Sequence, residues 1–257
     1  MKLNKIITMA LSLSLLATMT ACGNEKADET AGENGGTTVA NQKIEEDLQS
    51  DGGVPKESAA MPEQSEYLNF TQPEKGEEIA VIHVKDYGDI KIKLFPELVP
   101  KAVENFTTHA KDSYYKGLIF HRVIPEFMIQ GGDPLGTGMG GESIWGSKFD
   151  GGISSKLRHF TGALAYANSG STSTNGSQFY IVTENPLTNE TFPKTKADGK
   201  TEYKCPQNVK DEYIAKGGAP FLDGDYTVFG QVFEGQNIVN AISQVPTIAP
   251  QVQDKPI

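Results

Sequence analysis

The chain has 257 residues, 37% of them apolar, and its 33 acidic and 23 basic side chains give a formal charge of −10. That length allows one or two domains, and the low apolar share implies that part of the chain lies outside any packed core. A surplus of acid excludes a function built on a basic groove, so nucleic acid is not expected as a partner, and two cysteines are too few for a disulfide framework or a thiolate metal site.

In chain order, Lys2 and Lys5 precede a charge-free apolar run from Ile6 to Ala17. At about twelve residues the run is too short to span a bilayer and suits a secretory signal. Met19-Thr20-Ala21-Cys22 resembles a bacterial lipobox, in which the cysteine is lipidated and becomes the new N-terminus after cleavage. Residues 1–21 are therefore read as a lipoprotein signal peptide and Cys22 as the lipidation site; the alternative is a plain signal peptide with an incidental cysteine. A lipidated Cys22 implies anchoring on the extracytoplasmic face of the cell membrane, since two or more acyl chains hold a protein there stably. Loss of Lys2 and Lys5 with the signal takes the formal charge from −10 to −12.

Residues 23–75 hold twelve acids, four lysines and few large apolar side chains. Such a stretch cannot bury enough surface to offset chain entropy, so residues 22–77 read as a disordered acidic tether with a reach of roughly 40 Å. Tyr67, Leu68 and Phe70 are its densest apolar cluster, either a linker patch or a docking point on the following domain.

Order is expected from Glu78 to the end of the chain. Ile79 to Val84 reads as a buried strand, Gly88-Asp89 as a turn, and Ile90 to Leu94 as an alternating strand. Pro100 starts a helix with Val103, Phe106 and Ala110 on one stripe, and a matching helix spans Gln236 to Ile242. Short strands punctuated by glycine lie between them, the pattern of a closed antiparallel barrel. Residues 183–219 form a long stretch in which Val209, Tyr213 and Ile214 ahead of Gly217-Gly218 predict a short helix with a glycine stop.

Three blocks carry the chemistry. The first, Phe120-His121-Arg122-Val123-Ile124-Pro125-Glu126-Phe127-Met128-Ile129-Gln130-Gly131-Gly132-Asp133, sets one guanidinium beside apolar side chains and an amide. It resembles the central signature of the cyclophilins, the cyclosporin-binding peptidyl-prolyl cis-trans isomerases. The second runs from Gly162 to Gly170 and on through Thr174-Asn175-Gly176-Ser177-Gln178-Phe179-Tyr180, and the third from Phe221 to Gly230; they resemble the other walls of the same cleft. The resemblance covers residues 78–257 and implies a mainly β fold, a closed eight-stranded antiparallel barrel capped by two helices, with residues 183–219 as an insertion. The family normally continues into a last strand beyond the point matching Asp254-Lys255-Pro256-Ile257, which leaves two alternatives, a truncated sequence or an unusual closure of the barrel.

Prolyl rotation breaks amide resonance against a barrier of about 18–20 kcal/mol, so catalysis requires neither nucleophile, metal nor cofactor. It requires a pocket for the ring and a donor for a nitrogen that no longer shares its lone pair. A guanidinium stays charged and offers fixed N–H groups, which makes Arg122 the candidate donor. By resemblance Arg122 is the catalytic arginine, with Phe127, Met128, Gln130, Ala167, Asn168, Gln178, Tyr180, Phe221, Leu222 and Tyr226 binding substrate. Tyr180 replaces the family's phenylalanine and adds a hydroxyl that needs a partner. Phe221 stands where cyclosporin-sensitive members carry tryptophan, which implies weak cyclosporin binding.

Gly136-Thr137-Gly138-Met139-Gly140-Gly141 fits G-x-G-x-x-G but follows no βαβ pattern, so it reads as a loop near the cleft and not as a dinucleotide site. His83, His109, His121 and His159 show no metal-ligand spacing and read as structural, and Cys205 reads as a loop thiol. The expected activity is isomerisation of Xaa-Pro bonds in unfolded, secreted or surface polypeptides by a monomer without cofactor. The rivals are a non-catalytic, chaperone-like lipoprotein that holds proline segments in the same cleft, and a solute-binding lipoprotein, which fits the barrel blocks poorly.

Overall fold

The computed structural model describes residues 67–246. The signal segment, Cys22, most of the tether and residues 247–257 lie outside the described residues. The packed chain is already in place at Tyr67, ahead of the expected start at Glu78. Tyr67 and Asn69 are buried around a 3-10 turn at Leu68–Phe70. The Asn69 amide donates to the Arg158 carbonyl at 3.0 Å and to Gln231 Oε1 at 2.8 Å, and accepts from the Arg158 N–H at 3.0 Å. Of the two readings of this patch, docking is the one the structure has.

Seven strands, β1 (Ile79–Val84), β2 (Gly88–Leu94), β3 (Arg122–Ile124), β4 (Met128–Gly131), β5 (Ala163–Tyr166), β6 (Phe179–Val182) and β7 (Val228–Glu234), form one sheet in the order β1-β2-β7-β5-β6-β4-β3. Every pairing is antiparallel. The expected closed eight-stranded barrel is corrected to a seven-stranded open one: among the described residues the end strands β1 and β3 share no ladder. A groove of about 690 Å³, walled in part by Phe106, Phe120 and Phe179, separates β1 from the segment 117–120 that leads into β3. β1 is consequently not the buried strand that its composition predicted. Ala80, Ile82 and Val84 reach the core, while Ile79 and Val81 are 37% and 38% exposed. The turn into β2 comes earlier than Gly88-Asp89, at Asp86, which takes a positive φ of 65°.

There are three helices among the described residues, the two expected to cap the barrel and the one expected in the insertion. The helix α1 (Pro100–Lys111) starts on its proline, which has no N–H to leave unsatisfied in the first turn. It buries Ala102, Val103, Asn105, Phe106 and His109, whereas Ala110 is exposed along the groove. His109 takes the inner place because its ring finds a partner, the Glu142 carbonyl at 3.0 Å. The third helix, α3 (Gln236–Ser243), lies where the second of the two was expected.

The short helix expected ahead of Gly217 is α2 (Gln207–Lys216) of the 183–219 insertion, which has a core of its own built from Tyr67, Phe160, Leu187, Phe192, Val209 and Tyr213. Its glycine stop is the one expected. Gly217 has φ 72° and donates its N–H to the Tyr213 carbonyl at 2.7 Å, and a Cβ there would stand 2.6 Å from the Asn185 carbonyl. The main core is set by Ile90 and Ile92 of β2 with Leu164, Ile181, Phe229 and Ile242, all fully buried.

Candidate active site

Strand register builds the site. The pairing of β3 with β4 places Arg122 opposite Gln130 and Ile124 opposite Met128, and the pairing of β4 with β6 places Gln130 opposite Tyr180. Side chains alternate across a strand, so Met128 and Gln130 share one face of β4 while Ile129, fully buried, occupies the other. Arg122, Gln130 and Tyr180 therefore form a row on one face, bordering a cavity of about 510 Å³. Phe127 and Met128 from the first block, Ala167 and Asn168 just beyond β5, and Leu222 and Tyr226 from the third block complete its predicted walls.

Two predicted residues support the cavity without lining it. Gln178 accepts from Gln130 Nε2 at 2.9 Å and donates to the carbonyls of Gly138 and Gly140 at 3.0 and 2.8 Å. That relay turns the Gln130 carbonyl oxygen toward Arg122, whose Nη1 lies 3.4 Å away. Phe221 packs behind the wall, its ring 5.5 Å from that of Phe127.

Sequence reasoning missed His121, which lines the cavity together with Gly136, Thr137 and Gly138 of the loop expected near the cleft. The glycine-rich loop is held by Asp133, whose buried carboxylate accepts from the N–H groups of Leu135, Thr137 and Gly138 at 2.8, 2.9 and 2.6 Å. Burial alone would raise the Asp133 pKa, but these bonds favour the charged form and leave it below the ordinary value. An aspartate two to five residues ahead of a glycine run was the available signal. Gly132, at φ 81°, is required because a Cβ would meet the Ser177 carbonyl at 2.5 Å.

The pocket phenols do not ionise near neutral pH. Burial raises the pKa of Tyr180 and of Tyr226; Asp225 adds to the second and Arg122 opposes it. The Tyr180 hydroxyl, expected to need a partner, is buried with none among the described residues. No group of three or more metal-ligating side chains occurs among the described residues.

A family model described as cyclophilin type peptidyl-prolyl cis-trans isomerase/CLD matches residues 79–257. This chain belongs to the cyclophilin family. A Staphylococcus aureus (strain COL) protein assigned by name to the peptidyl-prolyl cis-trans isomerases is 47% identical over 180 residues, covering 70% of this cyclophilin and 87% of the relative. A Staphylococcus epidermidis relative with the same assignment is 45% identical over 191 residues, covering 74% and 92%. The crystal structure of a Cryptosporidium parvum cyclophilin-type isomerase, determined in the presence of the dipeptide Ala-Pro, aligns with a TM-score of 0.53 at 34% identity, covering 70% of this chain and 92% of that one. A second structure of the same protein gives a TM-score of 0.51. The chain is thus a peptidyl-prolyl cis-trans isomerase with a mainly β, cyclophilin-like fold.

The cleft of this cyclophilin brings together apolar surface, the Arg122 guanidinium and the Gln130 carboxamide. The glycine loop that formally fits a dinucleotide motif forms part of the rim. Cys205 is a half-buried thiol beside the insertion core, its pKa pushed up mainly by burial.

Proposed function

We propose that this cyclophilin seats the ring of a substrate proline against Phe127, Met128 and Leu222 while Arg122 donates a hydrogen bond to the prolyl nitrogen as it becomes pyramidal. The preceding residue then turns, with its backbone held by Gln130 and by backbone groups at Asn168. The observation that carries this reading is the register of β3 on β4, which fixes a guanidinium at the edge of an apolar cavity with an amide oxygen to orient it. The Ala-Pro dipeptide used with the Cryptosporidium relative supports a proline-containing ligand for the same cleft.

The Met19-Thr20-Ala21-Cys22 segment supports a finer reading, a lipoprotein held by Cys22 on the extracytoplasmic face of the membrane, acting as a monomer on unfolded secreted or surface proteins. An eighth strand seated beside β1 would complete the barrel that the family resemblance implies. The Phe221 side chain has no N–H to offer, which supports weak cyclosporin binding.

The test is a protease-coupled or refolding assay of the full-length chain on an Xaa-Pro peptide. Arg122→Ala is expected to lower kcat/KM by about 100-fold or more, the loss seen on removing a preorganised transition-state donor, with an unchanged circular dichroism spectrum. Full activity in the folded variant would remove Arg122 from the mechanism.

A further inference from the structure

The segment 220–226 contributes Leu222 and Tyr226 to the cavity and Phe221 behind it, yet it forms no sheet ladder. Its own backbone bonds are those of successive tight turns: Leu222 to Ala219, Asp223 to Pro220 and Asp225 to Leu222. A wall made of turns keeps its place only through links to its surroundings.

Some of those links come from outside the insertion, from His159 and Arg158 to the Asp223 carboxylate and from the Asn168 amide to the Asp225 carbonyl, and the insertion supplies the rest. Its residues 194–203 form a hairpin closed by the Thr195–Glu202 bridge and by bonds from Lys196 N–H to Thr201 and from Tyr203 N–H to Lys194. From this hairpin the Lys196 ammonium donates to the Asp223 carbonyl at 2.6 Å and to the Asp225 carboxylate at 3.0 Å, and the Ala197 N–H donates to the Phe221 carbonyl at 3.2 Å. From α2 the Tyr213 hydroxyl donates to the buried Asp223 carboxylate at 2.8 Å. The backbone on both sides of Leu222 is thus tied to the insertion, and the insertion packs through its own core on Tyr67 and Phe160 of the rest of the domain.

We propose that the 183–219 insertion is a positioning element of the active site, in which Lys196 and Tyr213 hold the Phe221–Tyr226 wall at the spacing that grips the proline ring. The inference rests on the cleft described above as the substrate site and assigns no chemistry to the insertion itself. Lys196 touches wall backbone and the Asp225 carboxylate, so its loss should weaken ground-state binding more than the chemical step.

The experiment uses the full-length chain with Lys196→Met, which keeps the stem of a side chain that is 25% exposed and removes the ammonium. KM for an Xaa-Pro peptide is expected to rise about 5-fold with kcat within about twofold, and the Kd of the same peptide, followed by NMR titration, to rise in parallel. Lys196→Arg should restore both, and Tyr213→Phe should move Kd in the same direction. An unchanged Kd in the folded Lys196→Met protein would overturn the inference. So would a fall in kcat and unfolding midpoint together without a change in Kd. Because Kd is read without turnover, a wild-type chain that binds the peptide but leaves its isomerisation rate unchanged would sink the catalytic reading and not this one.

Discussion

Tyr180 brings a buried hydroxyl into the wall of the cavity. The side chain is 4% exposed, its ring lies 6.2 Å from and nearly parallel to that of His159, and its oxygen has no partner among the described residues. A buried hydroxyl left unsatisfied is destabilising by about 1–3 kcal/mol, so removing it recovers part of that penalty while the ring stays in place. Tyr180→Phe is expected to raise unfolding stability by about 1 kcal/mol, measured by urea denaturation, and to leave kcat/KM within about threefold. A destabilised variant would mean that the hydroxyl is satisfied in solution. His159, as deeply buried, is satisfied at one ring nitrogen and not at Nε2. Its Nδ1 donates to Asp223 Oδ1 at 2.9 Å, and Arg158 approaches the second oxygen of the same carboxylate at 3.4 Å.

At the scale of elements, β1 shows where reasoning along the chain reaches its limit. Its composition describes a strand with an apolar face, and the register against β2 follows from alternation, Ile82 opposite Ile90 and Ala80 opposite Ile92. Whether the other edge of β1 is covered depends on a neighbour distant in sequence, which no local pattern reports. The first block was legible for the opposite reason. Arg122, Met128 and Gln130 lie on two adjacent strands joined by a tight turn, so alternation and one short connection fix their common face. The Gly136–Gly138 loop was legible as lying near the cleft but not as folded around Asp133, and His121 was not legible as a lining residue because nothing in its local pattern sets it on the cavity. The insertion fell between these cases: its helix stop was visible in Gly217, its second core was not.

Among the described residues the outer edge of β1 is unpaired, which bears on association. Six residues without proline or an outward acid, with Ile79 and Val81 exposed, form a template for pairing between chains. Val81 faces Lys91 across the ladder, and Lys91 already pairs with Glu234 at 2.8 Å. Val81→Glu is therefore expected to change stability by less than about 1 kcal/mol, the span of strand propensity, while reducing concentration-dependent self-association. Light scattering over a concentration series checks this, and equal association in both proteins would show that the β1 edge is not where chains meet.

For the molecule as a whole, charge burial sets the pH range of stability, and the active site should be indifferent to pH inside it. For Asp223, burial raises the pKa, but the His159 bond, the Arg158 guanidinium and the Tyr213 hydroxyl outweigh it, leaving the carboxyl below its ordinary value as in Asp133. A depressed carboxyl contributes stability that is complete above its unfolded value, about 3.9, and lost as pH falls through the folded one. These two groups organise opposite sides of the cleft, the glycine loop and the Leu222 wall, so acid should loosen both. His109 is lowered chiefly by burial and adds a shallow decline below about pH 6.5, because the unfolded ring takes up the proton first. Tyr115, Tyr166, Tyr180 and Tyr213 are raised chiefly by burial, so their contribution is complete below the unfolded value of about 10 and declines as pH rises beyond it. Urea midpoints are expected to be level from about pH 7 to 9, to drift down below about 6.5 and to fall steeply below about 4. Over pH 6–9 kcat/KM should stay flat, since the proposed donor is a guanidinium and the step moves no proton. A sharp inflection in kcat/KM near pH 6.5 in protein that remains folded would overturn this account and bring His121, which borders the cavity, into the reaction as an acid or base.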